Sequence, residues 1–514
     1  MLRERNDRSR GDSLPGPRPD AAGVCQPVSG NPANSPGPDR TTVLHVSPQP
    51  PRDGLPLQGW RRTFSSLHGN RSFTFLFAGN VGFFFGMQMM MILSGWLVIQ
   101  EWDNAAFLGY MLATAAIPML VLAPIGGVVS DRVDKRKLLL VTQCLLVLTS
   151  GLVTVLILSG KIQFWHLLLI TPVSGAAFSF NIPGRQALVA ILVPRDHLMN
   201  AISLSAAAMN ASRIVAPALA GLLVVPIGIG GAYIVATVCY ASAAAATAFL
   251  PPSMPRRVKQ FTFLEDFTGG FRYIRGSTLL MGLLLFATVP MLFAMPYQTL
   301  LPVFADDVWH VGSAGFGMMQ AASGFGGLAG GIVAANLDDY RRKGTLMVGA
   351  AVVFGVLLFV LALSPWFALA LALMAALGFA SMTFTTVNNT AIQMVIPDEF
   401  RGRVMSVMMM TFGLMPLGAV PAGIAAQSLG APPVVAAGAV LFVLSTLGIF
   451  IAVPSLRALD RGMNEGRERE AARRAASLSV DSGPVPAPPA ARPTEPARGA
   501  ALGVVPTDVI DGSA

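Results

Sequence analysis

Charge is scarce in this chain: Asp, Glu, Lys and Arg make up 12% of 514 residues, about half the share of an ordinary soluble protein. With 53% hydrophobic residues and a mean hydropathy of +0.60, that scarcity excludes a conventional soluble enzyme and wholesale disorder. Cysteine is scarcer still. Cys25, Cys144 and Cys239 have no CxxC spacing and no histidine partner, which excludes a disulfide framework or a zinc module. There is no phosphate loop, nucleophile elbow or metal-ligand cluster, so neither enzyme chemistry nor a bound cofactor is expected. No short apolar run with a small-residue cleavage site lies near Met1, so no cleavable signal peptide is expected. What the chain has in abundance is long apolar runs. It reads as an integral membrane protein.

A bilayer crossing needs about 20 apolar residues. Candidate spans lie near 73–99, 105–130, 138–159, 164–184, 200–225 and 228–250, then near 276–303, 312–336, 345–364, 366–390, 405–426 and 432–453. The expected fold is all-α, with twelve transmembrane helices in two six-helix bundles, 71–250 and 276–454, joined by a basic cytoplasmic linker at 251–275. Residues 1–70 and 478–514 are expected as disordered tails, with a charged, solvated helix candidate over 455–477. Prolines inside spans, such as Pro172, Pro217, Pro290, Pro296 and Pro421, are tolerated where neighbouring helices satisfy the carbonyls they free.

Orientation follows from Lys and Arg. The short even-to-odd loops hold 16 of the 36, Lys161 alone lies in the opposite loops, and Arg213 reads as the one charge inside a span. Both termini are therefore expected in the cytoplasm. The +9 net charge is spread over many loops, which removes the case for nucleic-acid binding.

The halves look duplicated at an offset of 203 residues. Gly175 matches Gly378, Pro194 matches Pro397, Asp196 is matched by Glu399, Ser203 matches Ser406, and Asp103 pairs with Asp306. Such a repeat implies two similar bundles rocking about a central site.

The loop after the second span reads Gly127-Val-Val-Ser-Asp131-Arg132-Val-Asp134-Lys135-Arg136-Lys137-Leu-Leu. It resembles the signature loop of the major facilitator superfamily, G-x-x-x-D-R-x-G-R-R-x-x-L, with Asp134 where glycine is usual. The gate reading gives Gly127 a close helix approach, sets Asp131 against a helix N-terminus of the other half, and lets Arg132, Lys135 and Arg136 pair with acids or orphan carbonyls. The bland reading is a positive-inside determinant, which Lys137 suits best. The second half keeps a degraded echo at Gly331–Ala335 and 338–343. NIPGRQALVAILVP, NAISLSAAAMNASRIVAPALAGLL and PDEFRGRVMSVMMMTFGLMPLGAVPAG resemble the branch holding the enterobactin exporter and macrolide efflux proteins, over roughly 65–455. The resemblance implies proton-driven export of small amphipathic molecules from the bacterial cytoplasm, in the cytoplasmic membrane, with no obligatory oligomer.

By the same resemblance, spans one, four, seven and ten line the cavity. They offer Asn80, Gln88, Tyr297, Gln298, Thr383, Thr386 and Asn388. Met87 and Met89–Met91, with Met405 and Met408–Met410 in span eleven, read more readily as packing than as a cargo surface. Arg213 reads equally as a contact for anionic or catecholate-like cargo, as a proton-coupling partner, or as a structural arginine satisfied between helices. Ala216–Gly221 is a weakened form of the family's antiporter motif, making Pro217 and Gly221 a hinge candidate. None of the 27 acidic residues falls mid-membrane, so Asp103 and Asp306 at the external mouth stand as coupling candidates, with Glu101, Asp307 and Asp131 behind them. Two rivals remain: an uptake or lysophospholipid-moving carrier on the same fold, and a non-transporting membrane scaffold.

Overall fold

A computed structural model describes residues 71–253, 271–336, 343–396 and 398–456. The expected tails, most of the linker, most of the charged helix candidate and the basic run at 337–342 lie outside the described residues. The described chain is helical almost throughout, because a chain in hydrocarbon must satisfy its backbone groups within each segment. Its helices are α1 (Arg71–Trp102), α2 (Ala105–Arg132), α3 (Lys135–Leu158), α4 (Phe164–Leu192), α5 (Arg195–Ala248), α6 (Thr278–Val289), α7 (Pro296–Val303), α8 (Gly312–Asn336), α9 (Lys343–Leu363), α10 (Phe367–Val395), α11 (Asp398–Thr411), α12 (Met415–Leu429) and α13 (Ala431–Ala452). Among the described residues, ten helical stretches are long and apolar enough to cross a membrane.

One of those stretches cannot be a single crossing. The 54 residues of α5 would run about 80 Å at 1.5 Å per residue, against about 30 Å of hydrocarbon. The chain breaks inside it at Gly228, whose φ of 68° and ψ of 171° are non-helical and open to glycine alone without strain. The second half breaks within one residue of the corresponding place, at Gly430, with φ 82° and ψ 160°. The duplication is visible elsewhere too. Helices α4 and α10 each have 29 residues and begin 203 residues apart, and α5 and α11 begin at the same offset. The seventh crossing departs from the symmetry. Thr278–Val308 is one bent path in which π-helical turns at Pro290–Ala294 and Phe304–Val308 flank α7, whereas its counterpart α1 is an unbroken helix. Such π turns cluster at functional sites.

Within the first half, α1 packs along α5, α2 along α4, and α3 along both α4 and α5; within the second, α8 packs along α10, and α9 along α10 and α13. The most extensive seams joining the halves are α2 with α12 and α5 with α8. The repeat maps α2 onto α8 and the first part of α5 onto α11 and α12, so these seams are one contact seen from either half.

Three close approaches share one cause. Proline has no N–H, so the carbonyl four residues earlier loses its helical partner. Pro183 frees the Ser179 carbonyl, and Gly126 of α2 lies against it; Pro296 frees that of Leu292, and Gly418 of α12 lies there. Pro217 frees the Arg213 carbonyl, and a Cβ on Gly324 of α8 would stand only 2.8 Å away. Each glycine brings its Cα within reach of an orphaned oxygen, the weak C–H···O contact common at helix crossings. Proline on one helix is thus answered by glycine on the next.

The fourth span is longer than the sequence suggests. Helix α4 continues to Leu192 and carries Arg185, which the sequence pattern assigns to the following loop; the residue is 4% exposed. Arg213 is therefore not the only charge within a span.

Candidate transport cavity

Between the halves lie two adjoining chambers. The larger, about 470 Å³, is walled by α1, α2, α3, α4, the later part of α5, α7, α8 and α12. Six methionines contribute to its apolar surface: Met87, Met90 and Met91 from α1, Met111 and Met119 from α2, and Met415 from α12. Of the methionines read as packing, Met87, Met90 and Met91 line this chamber, Met87 and Met90 while also packing against the hydrophobic core, and Met89 and Met408 are buried in the core. The hydroxyls in the wall pair with one another. Tyr233 donates to Ser94 at 3.2 Å, Ser174 donates to Thr149 at 3.2 Å, and Ser150 pairs with Thr237.

The smaller chamber, about 290 Å³, is the more polar of the two. Gln88 of α1, Arg213 and Pro217 of α5, Gln298 of α7, and Gln320 and Ser323 of α8 line it. Met87, Met91, Gln298 and Gln320 belong to both chambers, so the two share a wall of thioethers and amides. No acidic residue lines either chamber among the described residues. Arg213 holds the seam and the chamber at once: its carbonyl faces Gly324 and its side chain lines the polar space. Gln320, Ser323 and Met209 were not singled out in the sequence; the only signal for the first two is that they sit on a Gly-rich helix facing α5.

The remaining sequence candidates lie elsewhere. Asn80 is 1% exposed and accepts from Arg185 Nη1, while Arg185 Nε donates to Asn181 at 3.3 Å and its guanidinium carbon sits 4.3 Å over the Phe83 ring. Asn80 is part of a buried knot between α1 and α4, outside both chambers. Tyr297 is buried beside Gln298, Ser323 and Arg213. From α10, neither Thr386 nor Asn388 lines a chamber. Thr383 donates to the Gly330 carbonyl at 3.4 Å, and Gly326, Gly330 and Gly378 bring α8 and α10 into close contact. Span ten contributes no residue to these two chambers, while spans two, three, five, six, eight and eleven join the lining.

At the end where α1 meets α2, the halves are drawn together. Gly221 meets the Ser313 carbonyl, Ser313 Oγ donates to the Gly221 carbonyl at 3.1 Å, and a Cβ on Gly109 would stand 2.9 Å from the Ala419 carbonyl oxygen. The Ala105 amide donates to Gln427 Oε1 at 2.9 Å across the other seam. Asp103, at φ 45°, lies at this end with Asp306 and Asp307, and Asp307 is near enough to interact with both other carboxylates.

At the opposite end, the signature loop fastens within its own half. Asp134 caps α3 by accepting from the Arg136 amide at 3.0 Å, and also accepts from the Ser253 amide and hydroxyl at 3.1 and 3.0 Å. Arg136 Nη2 donates to the Ala248 carbonyl at 2.6 Å, and the Lys135 amide donates to Ser253 Oγ at 2.8 Å. Asp134 has φ −61°, an ordinary conformation, so aspartate replaces glycine here as a cap with no unusual turn to accommodate. Burial works against its charge, but the bonds from Ser253 and from the Arg136 and Lys137 amides win, holding its carboxyl below the ordinary range. Gly127 and Asp131 lie near the end of α2, and Arg132 is exposed.

The family described as transmembrane secretion effector, within the major facilitator superfamily, matches residues 63–487. The staphyloferrin A transporter of Staphylococcus aureus is 24% identical over 69% of this chain and 90% of its own length. Macrolide efflux protein A of Streptococcus pyogenes is 24% identical over 63% of this chain and 80% of its own. The crystal structure of the nucleoside transporter NupG superposes with a TM-score of 0.58 at 14% identity, covering 76% of this chain and 99% of that one, a likeness of fold.

Proposed function

Because this chain belongs to the transmembrane secretion effector family of the major facilitator superfamily, we propose that it exports small amphipathic molecules by alternating access. It is a multi-pass membrane carrier, not an enzyme. The observation that carries the reading is the pair of symmetry-related seams, α2 with α12 and α5 with α8, which bracket one cavity between two repeats. Two bodies joined that way, 71–250 and 276–454, can rock, and the cavity then opens to one face at a time. Twelve crossings follow when α5 is divided at Gly228 and 398–429 is counted as its repeat.

The basic loops put both termini in the cytoplasm of a bacterial cell, since Lys and Arg are retained on that side. The seams that close near Asp103 and Asp306 then lie toward the exterior. In this reading Gly127, Asp131 and Arg132 form contacts with the other half that exist in one rocking state only, while Lys135 and Arg136 tether the loop to its own half through Ser253 and Ala248. Proton entry is assigned to Asp103 and Asp306, carboxylates at the closing end of a cavity that has none of its own. The carrier acts without an obligatory partner subunit.

Everted membrane vesicles test the direction and the drive. With the vesicle interior acidified, staphyloferrin A should accumulate inside, and a protonophore should stop it. Uptake that ignores the gradient, or efflux from the vesicles, would overturn the reading.

A further inference from the structure

Resting on that carrier reading, we infer that the polar chamber is an anion subsite: the cargo is an organic carboxylate whose acidic head sits against Arg213 while its apolar body fills the methionine-lined chamber. Arg213 lies midway along the part of α5 before the Gly228 break, inside a span, with its side chain exposed to the open smaller chamber; a cation within a span marks a ligand or ion pathway by default. Its side chain makes no hydrogen bond or ion pair with any described residue, and no acid lines either chamber. Its planar donors are well matched to a carboxylate, which can take two parallel bonds from one guanidinium.

The surroundings favour the same ligand. Gln88, Gln298 and Gln320 add neutral amides whose N–H groups can complete an anion's coordination without competing for it. A cationic cargo would instead meet a like charge and no carboxylate. The shared wall of Met87, Met91, Gln298 and Gln320 places the polar pocket directly beside the apolar one, so a single molecule with an acidic head and a greasy body can occupy both. Flexible thioethers let the apolar body vary while the head stays fixed.

Three fluorescent probes with one apolar body test this: pyrenebutyrate, pyrenebutyramide and pyrenebutylamine, titrated against the full-length protein in lipid nanodiscs. The carboxylate should bind about tenfold tighter than the amide, as a charge-assisted hydrogen bond requires, with the amine weakest. Arg213→Gln should erase the carboxylate preference and Arg213→Lys should keep most of it, with size-exclusion profile and thermal midpoint reporting that each variant is folded. Equal affinities in the unaltered protein, or a preference that survives Arg213→Gln, would overturn the subsite and leave the carrier reading standing. Failure of all three probes to bind would overturn the subsite, and absent transport in everted vesicles would separately overturn the carrier.

Discussion

Two arginines within the membrane have opposite environments. Arg185 is enclosed by Asn80, Asn181 and the Phe83 ring, and ties α1 to α4. Arg213 faces an open chamber. Arg185→Leu removes a cation–π contact and leaves two buried amides short of a partner, each worth about 1–3 kcal/mol. The thermal midpoint in detergent should fall clearly; an unchanged midpoint would mean the knot contributes nothing to stability. Asp134 acts at the surface. Because its carboxyl titrates below the ordinary range in the folded protein, its hold on Ser253 is complete at neutral pH and is lost as pH falls through its lowered pKa, beneath the usual value of about 3.9. Asp134→Asn should therefore raise hydrogen exchange at the amides of 134–137 at neutral pH, and equal exchange would contradict the cap. Arg185 was hard to read from the sequence because Pro183 and Gly184 resemble the end of a helix. Helix α4 absorbs both, since Gly126 of α2 lies against the carbonyl that Pro183 frees.

The elements that matter for function are the seam helices and the broken seventh crossing. On α5, Gly221 lies against the Ser313 carbonyl of α8, leaving no room for a side chain. Gly221→Val should cut transport at least tenfold while the protein still inserts, since overpacking a tight contact costs about 1–3 kcal/mol. Unaltered transport would show that the halves need not close there. On the seventh crossing, Pro296 supports the π turn that presents Gln298 to both chambers. Pro296→Ala restores an N–H that can recapture the Leu292 carbonyl, so pyrenebutyrate binding should weaken several-fold; unchanged affinity would separate the π turn from the site. Helix positions were largely legible from apolar runs, and Gln88, Arg213, Pro217 and Gln298 stood out as polar or kinking residues among apolar ones. The remainder of the lining was not legible. A methionine looks alike on a packed face and a cavity face, and whether Thr386 and Asn388 reach a cavity depends on how α10 packs against its neighbours.

For the whole molecule, the repeat was visible in the sequence at 203 residues and returns in the matched starts of α4 and α10 and the paired glycine breaks at 228 and 430. It makes the seams α2–α12 and α5–α8 equivalent, so the halves should move as two bodies and not bend piecemeal. Spin labels in a cysteine-free background, with Cys25, Cys144 and Cys239 replaced by serine, measure this directly. One pair, at Lys161 and Trp366, reports the end near Asp103; a second, at Val133 and Met394, reports the end with the signature loop. Shifting pH or adding pyrenebutyrate should lengthen the first distance while shortening the second. If both distances stay fixed, or both change in the same direction, the two halves do not alternate access to the cavity between them.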